Sequence, residues 1–315
     1  MKTVGMCTRI TSIELPYLKS FIDYHQKIGV SHFSFVCNRH QDIPFIKRYL
    51  KGYKNIIVLP ADPPKMKERN GKKWRADPVK GKQNKVFNTI KTDYVINFDA
   101  DEYLILRKHE TIQDFVKDYP KNTIFRFKWV MAVNDENKVN VGFKGFNGHI
   151  CDVMVKRSAV HRLNEHSAKM KKRTGGKRVN IKEAFCLHHW ARSFNDVVLR
   201  SMLHEFQSKK KSTKKQLIAS AKHESILKLP ARLKILGVFT KKTTKPLPGK
   251  NPLRIDKELE EELIKKYLSP KEQAQIRKTY GSFKKLVDDD LLNCYPRRDM
   301  HALLRKMIKK KIHKV

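Results

Sequence analysis

Tyr94-Val95-Ile96-Asn97-Phe98, followed at once by Asp99-Ala100-Asp101-Glu102, is the stretch that decides the fold. Four of these five residues are apolar or β-forming and the run is too short for a helix, so it reads as a buried strand. Three carboxylates then arrive within four residues, in a chain with 31 Asp+Glu against 69 Lys+Arg. A strand that ends in concentrated charge marks the rim of a sheet rather than its middle.

Upstream, strands and helices alternate. Residues 3–7 and 32–37 (HFSFVC) read as strands, and 55–59 (NIIVL) as a third. Between the first two, Leu15, Leu18, Phe21, Ile22 and Ile28 recur near helical spacing. Pro16 is tolerated only in a first turn, so this helix starts around residues 12–15, and Gly29 ends it. Residues 45–50 and 81–90 suit further helices. The order β-α-β-α-β-α-β predicts an α/β fold, a mostly parallel Rossmann-like sheet with helices on both faces. Ligands of such sheets bind beyond the C-terminal strand ends. Arg9, Asn38 and Asp99 fall at or just past such ends and are expected to converge there.

Downstream, residues 123–133 and 151–156 are strand candidates, joined by a Gly/Asn-rich loop at 134–148. A basic stretch at 169–178 holds Gly175-Gly176 and reads as a loop. From residue 194 the pattern is helical, with an irregular Lys- and Pro-containing connector at 209–250. At 301–315 the sequence HALLRKMIKKKIHKV puts Leu303, Leu304, Met307, Ile308 and Ile312 on one helical face and bases mainly on the other, as in interfacial basic helices. Two regions are expected: a catalytic domain over 1–205 and a basic, mostly helical C-terminal region over 206–315.

The net charge of +38 attracts polyanions at long range, and salt screens it. Nucleic acid, anionic lipid and phosphorylated glycolipid all satisfy it. Cys7, Cys37, Cys151, Cys186 and Cys294 are odd in number, widely spaced and without a CxxC pair. That argues against a disulfide framework and against structural zinc, and points to reduced core thiols. No apolar run approaches the ~20 residues that span a bilayer, and no targeting segment is expected. A membrane role is then expected to be peripheral, from the cytoplasmic side.

Carboxylates at i and i+2 beyond a rigid strand can aim at one point. Hard oxygen donors suit Mg2+ or Mn2+, which keep waters and take further ligands from substrate phosphates. A cation held there stabilises a diphosphate as it leaves.

Several further residues set this motif in a wider pattern. Glu14, Tyr17-Leu18, Tyr24-His25, Gly29-Val30 and His32-Phe33 precede Asn38, Asp42, Gln83 and Asn88. After Asp99, Asp101, Glu102 and Tyr103 come Lys156, Ser158, His166 and the segment CLHHWARS at 186–193. Over about residues 7–200 this series resembles the GT-A-type glycosyltransferases of the family-2-like and family-92-like kind, many of them bacterial surface-polysaccharide enzymes. That family usually has Lys-Asn before the Glu; Ser12-Ile13 stand here, and Arg9 is expected to take over their contact. The resemblance implies a nucleotide-sugar donor, with uridine as its base, bound through Arg9, Asn38, Gln83 and Asp99. It implies a Mn2+ or Mg2+ held by Asp99, Asp101 and a late histidine, His188, with the adjacent His189 as the alternative. Asp99 would face the ribose or share the metal, and Glu102 would support the site from behind.

Inverting transfer needs a carboxylate to deprotonate the acceptor hydroxyl. Asp135 and Glu136, in the loop after strand 123–133, are the candidates, with Asp152 behind them. The expected activity is hexosyl transfer to a lipid-linked, lipopolysaccharide or capsule glycan at the inner membrane face. Basic residues would hold the chain on anionic lipid or contact an anionic acceptor. The alternative is a nucleic-acid-binding protein using Lys209-Lys210-Lys211 and Lys309-Lys310-Lys311. No zinc-finger spacing or RNP-like aromatic motif supports it, and no nucleic acid partner is expected.

Overall fold

The structure, a computed structural model, describes residues 2–37, 42–60, 66–69, 72–75, 87–119, 124–132, 138–140, 150–163, 168–171, 177–189, 192–193, 195–196, 244–267, 269–271 and 273–274. The expected helix at 301–315, most of the connector at 209–250 and most of the helix at 81–90 lie outside the described residues. The chain divides into two compact units. The first holds Met1–Ala132, Glu136–Trp190 and Lys245–Asp256; the second holds Val133–Asp135, Ala191–Thr244 and Lys257–Val315.

The first unit is α/β. Strands β1 (Val4–Ile10), β2 (His32–Cys37) and β3 (Ile56–Pro60) are parallel and adjacent. Between β1 and β2 runs α1 (Leu15–Lys27), and α2 (Ile43–Tyr49) leads into β3. A two-stranded ribbon, β4 (Met66–Arg69) and β5 (Lys72–Arg75), comes next. Strand β6 (Tyr94–Asn97) then pairs in parallel with the other side of β1.

After β6 the sheet changes character. Strand β7 (Glu102–Leu106) leads to a short helix α3 (Ile112–Phe115), then to β8 (Ile124–Ala132), β9 (Lys138–Asn140) and β10 (Ile150–Lys156). A small antiparallel pair, β11 (Val160–Leu163) and β12 (Ala168–Met170), precedes β13 (Arg178–His188), and β14 (Thr244–Pro246) closes the series. The main sheet runs β14-β9-β8-β10-β6-β1-β2-β3, with β13 pairing both β7 and β8. β10 is antiparallel to β6 and β8, and β13 is antiparallel to β7 but parallel to β8. The sheet is therefore parallel around β1 and mixed beyond β6. Part of the expected loop at 169–178 belongs to β12 and β13, because β12 finds an antiparallel partner in β11.

Packing follows the apolar spacing. On α1, Leu15, Leu18, Phe21 and Ile22 are buried, and Pro16 sits in the first turn. Gly29 ends the helix with φ of 104°, and a Cβ there would collide with the Gln113 amide. One continuous cluster joins Cys7, Val36, Phe87, Ile90, Val95, Ile124 and Val155 across five strands and the segment before β6. A fully buried side chain of this kind contributes about 1.5–3 kcal/mol. Cys7, Cys37 and Cys186 are buried thiols. Segment 251–256 returns to the first unit, where Asp256 N–H donates to the Pro16 carbonyl at 2.8 Å.

In the second unit, α4 (Lys257–Tyr267) faces a polar knot. Arg192 and Asp196 are both buried and form a bidentate pair, with Nη2 to Oδ1 at 2.8 Å and Nε to Oδ2 at 3.2 Å. Ser193 and Asn195 both donate to the Glu260 carboxylate. Among the described residues, no helix is long and apolar enough to cross a membrane.

Candidate active site

β6 delivers its charge at the C-terminal end of the parallel strands. Its neighbour β1 ends alongside, where the Phe98 N–H donates to the Cys7 carbonyl at 3.2 Å. The chain then turns tightly: Glu102 N–H donates to the Asp99 carbonyl, and Asp99 N–H donates to Glu102 Oε2 at 2.9 Å. This reciprocal pair fixes the turn that aims the three carboxylates.

The three acids have unlike surroundings. Asp99 is partly open and is gripped by Arg9 from the end of β1: Nη2 lies 2.9 Å from Oδ1 and 3.1 Å from Oδ2, and Nε lies 3.3 Å from Oδ1. Asp101 is buried, and its Oδ2 stands 3.5 Å from His188 Nε2 at the end of β13. Glu102 is buried on the other side of the turn. Burial, with the charges of Asp99 and Asp101 beside it, holds its carboxyl well above the ordinary carboxylate range. Its Oε1 has no hydrogen-bond partner among the described residues.

β13 reaches the site because it pairs with β7 directly after the turn, with His188 opposite Glu102. His189 N–H donates to the Asp101 carbonyl at 2.7 Å, so the two segments are latched at the motif itself. The His188 ring lies 5.1 Å from that of Trp129 on β8. His189 is fully buried, its ring edge-on to Tyr103 at 5.3 Å. His188, with its Nε2 facing Asp101, is therefore the histidine aimed at the carboxylate.

α1 backs the site. Tyr24 Oη donates to the Leu104 carbonyl at 2.8 Å, and Leu104 N–H donates to His25 Nε2 at 3.4 Å. His25 donates through Nδ1 to the Phe21 carbonyl at 2.8 Å. Two adjacent helix side chains thus satisfy the edge of β7 as a neighbouring strand would.

These donors fit a hard cation. Adjacent octahedral ligands at about 2.1 Å stand about 3 Å apart, close to the Asp101–His188 separation. A carboxylate oxygen and an imidazole nitrogen are ligands Mn2+ accepts. Among the described residues, no group of three His, Cys, Asp or Glu side chains gathers around one point. Asn38, Gln83, Asp135 and Glu136 lie outside the described residues, and Asp152 is described only as part of β10.

Trp129 and the β7–β13 pairing were not anticipated from the sequence. The run AFCLH at 184–188 carried the signal for a strand leading straight to His188. A cavity of about 630 Å³, lined by Lys2, Asp93, Thr111, Gln113, Asp114 and Lys117, lies elsewhere. Lys2 and Asp93 precede β1 and β6, so it opens at the N-terminal strand ends, away from the motif. The carboxylate turn is the better candidate because unlike titratable groups converge there.

No family profile and no curated protein matches the chain. Among solved structures, residues 1-349 of S. aureus TarS align at 11% identity and a TM-score of 0.35, over 99% of this chain and 88% of that one. The same fragment in complex with UDP-GlcNAc aligns at 11% identity and 0.32, again over 99% and 88%. HddC from Yersinia pseudotuberculosis aligns at 10% identity and 0.33, over 60% of this chain and 93% of its own. Likeness this faint assigns the chain to no family.

Proposed function

We propose that the chain is a GT-A-type, metal-dependent glycosyltransferase that moves a hexose from a nucleotide sugar, with UDP as the carrier, to an anionic glycan or glycolipid acceptor. One observation carries this reading: a carboxylate and an imidazole 3.5 Å apart at the C-terminal ends of an α/β sheet, beside an Arg–Asp pair.

In this reading Asp101 and His188 hold Mn2+ or Mg2+, which when bound supplies positive charge to the departing diphosphate. Arg9 and Asp99, with Asn38 and Gln83, bind the nucleotide, and Asp99 faces the ribose or shares the cation. Glu102 braces the turn through the Asp99 N–H. Asp135 or Glu136 takes the acceptor proton as the anomeric centre inverts. The acceptor is lipid-linked, part of a lipopolysaccharide or capsule, and the basic C-terminal region holds the enzyme on the inner face of an anionic membrane.

The test is thermal stabilisation by UDP with and without Mn2+, set against duplex DNA. The expected result is a rise in Tm with UDP that is larger when Mn2+ is present. Stabilisation by DNA and not by UDP would favour the nucleic-acid alternative. A panel of nucleotide sugars, assayed for metal-dependent hydrolysis, then identifies the donor; the reading fails if none binds.

A further inference from the structure

Arg9 and Asp99 neutralise each other where a donor would bind. Their strands are neighbours, β1 and β6, and both residues lie at the C-terminal ends. The contact is bidentate, with three N–O distances between 2.9 and 3.3 Å. It is also open: the side chains are 19% and 34% exposed, against 6% for Asp101. An arriving ligand can therefore reach both groups. Neither is committed to its partner by burial, and partly exposed pairs are weakly held.

A guanidinium fork binds phosphate as readily as carboxylate, with the same two-pronged geometry. A carboxylate released from the fork can accept a ribose hydroxyl or ligate a cation. We infer that the Arg9–Asp99 ion pair is an exchangeable latch, in which the diphosphate of the donor takes Arg9 from Asp99 and frees Asp99 for the ribose or the cation. This rests on the nucleotide-sugar reading above and adds to it that the two residues compete with ligand before they assist it. A plain charge effect shifts pyrophosphate affinity by the same factor whether or not the partner residue is present. A latch makes the gain from Asp99→Asn disappear when Arg9 is also replaced.

Titration calorimetry on the full chain separates these cases, using inorganic pyrophosphate in metal-free buffer at about 0.15 M salt, where the diffuse basic field is screened beyond about 8 Å. Asp99→Asn removes the carboxylate that competes with the ligand for Arg9 and should bind pyrophosphate several-fold more tightly than wild type. Arg9→Gln should bind it roughly tenfold more weakly, the loss of one charge-assisted bidentate contact. With Mn2+ alone, Arg9→Gln should bind the ion more tightly than wild type, because Asp99 is no longer occupied. If Asp99→Asn binds pyrophosphate no better than wild type, or gains as much in the Arg9→Gln background as it does alone, the latch is refuted. Should Asp99→Asn fail to fold, Asp99→Ser takes its place in the same cycle. A UDP titration keeps the two ideas apart. Wild type that binds UDP with Mn2+ while both variants behave alike refutes only the latch. Pyrophosphate exchange without any UDP binding refutes the nucleotide reading and leaves the Arg9–Asp99 pair a latch for a diphosphate of another kind.

Discussion

Asp101 is the residue on which the proposed chemistry turns. It is buried beside His188, so Asp101→Asn keeps the shape and removes the charge that would hold a cation. Metal-dependent transfer should fall by about a thousandfold, the several kcal/mol such an ion supplies, with Tm little changed. Normal turnover by this variant in saturating Mn2+ would remove Asp101 from the site. His25 makes a different prediction. Burial lowers its pKa from 6.5 to about 3, so the folded chain keeps it neutral where the unfolded chain would already be protonated. Between those values the unfolded state binds more protons. Stability is therefore full above pH 6.5 and falls as pH drops through the window, by up to about 1.4 kcal/mol per pH unit. His25→Gln keeps an acceptor for the Leu104 N–H but does not titrate. Its deficit in urea unfolding should shrink from pH 7 to pH 5; an unchanged gap would show that His25 does not stay neutral. The acidic motif was readable in the sequence as a cluster, but the division of labour within it was not. Asp99 is defined by Arg9, 90 residues away, and Asp101 by a histidine on β13, and no local pattern reports such partners.

At the scale of elements, the strands that were legible are those built from β-branched and aromatic runs: β1, β2, β3, β6, β8 and β10. β7 was hidden because its first residue, Glu102, reads as the end of the acidic motif. β13 was hidden because its first half is polar and partly exposed, and only its last residues are continuously buried. Both strands form the wall of the candidate site, and each owes its position to pairing rather than to composition. The helix that braces β7 shows the same dependence. Tyr24 and His25 read from the sequence as a helix residue pair within a family-like pattern. Their task, satisfying the N–H and C=O of Leu104, is visible only in three dimensions. Tyr24→Phe deletes one donor and leaves the Leu104 carbonyl without it, which should lower stability by about 1–3 kcal/mol. Hydrogen exchange then offers a local reading. Amides of β7 should lose protection in this variant before those of β2, and equal loss across the sheet would mean that α1 does not specifically hold β7.

For the whole molecule, the charge of +38 sets what it will meet first. A field of that sign concentrates any polyanion, so charge alone does not separate lipid from nucleic acid. The proposed enzyme gives a reason to separate them, since a lipid-linked acceptor would have to be met at a surface. Lys309-Lys310-Lys311 belong to a sequence with apolar residues at helical spacing, the pattern of a segment that lies on a membrane rather than across it. Each basic residue near an anionic surface contributes about 1 kcal/mol, or roughly fivefold in binding, and the effect decays within a Debye length. Co-sedimentation should therefore show strong binding to vesicles containing anionic lipid at about 0.05 M salt, and little at about 1 M, where the Debye length is only about 3 Å. Neutral vesicles should bind weakly at both. Replacing Lys309, Lys310 and Lys311 by alanine should reduce binding to anionic vesicles while leaving the response to UDP and Mn2+ intact, because none of the three belongs to the proposed donor site. Equal affinity for neutral and anionic vesicles would refute the electrostatic part. If duplex DNA strips the protein from vesicles and UDP never binds, the basic surface serves nucleic acid and the acidic turn needs another explanation.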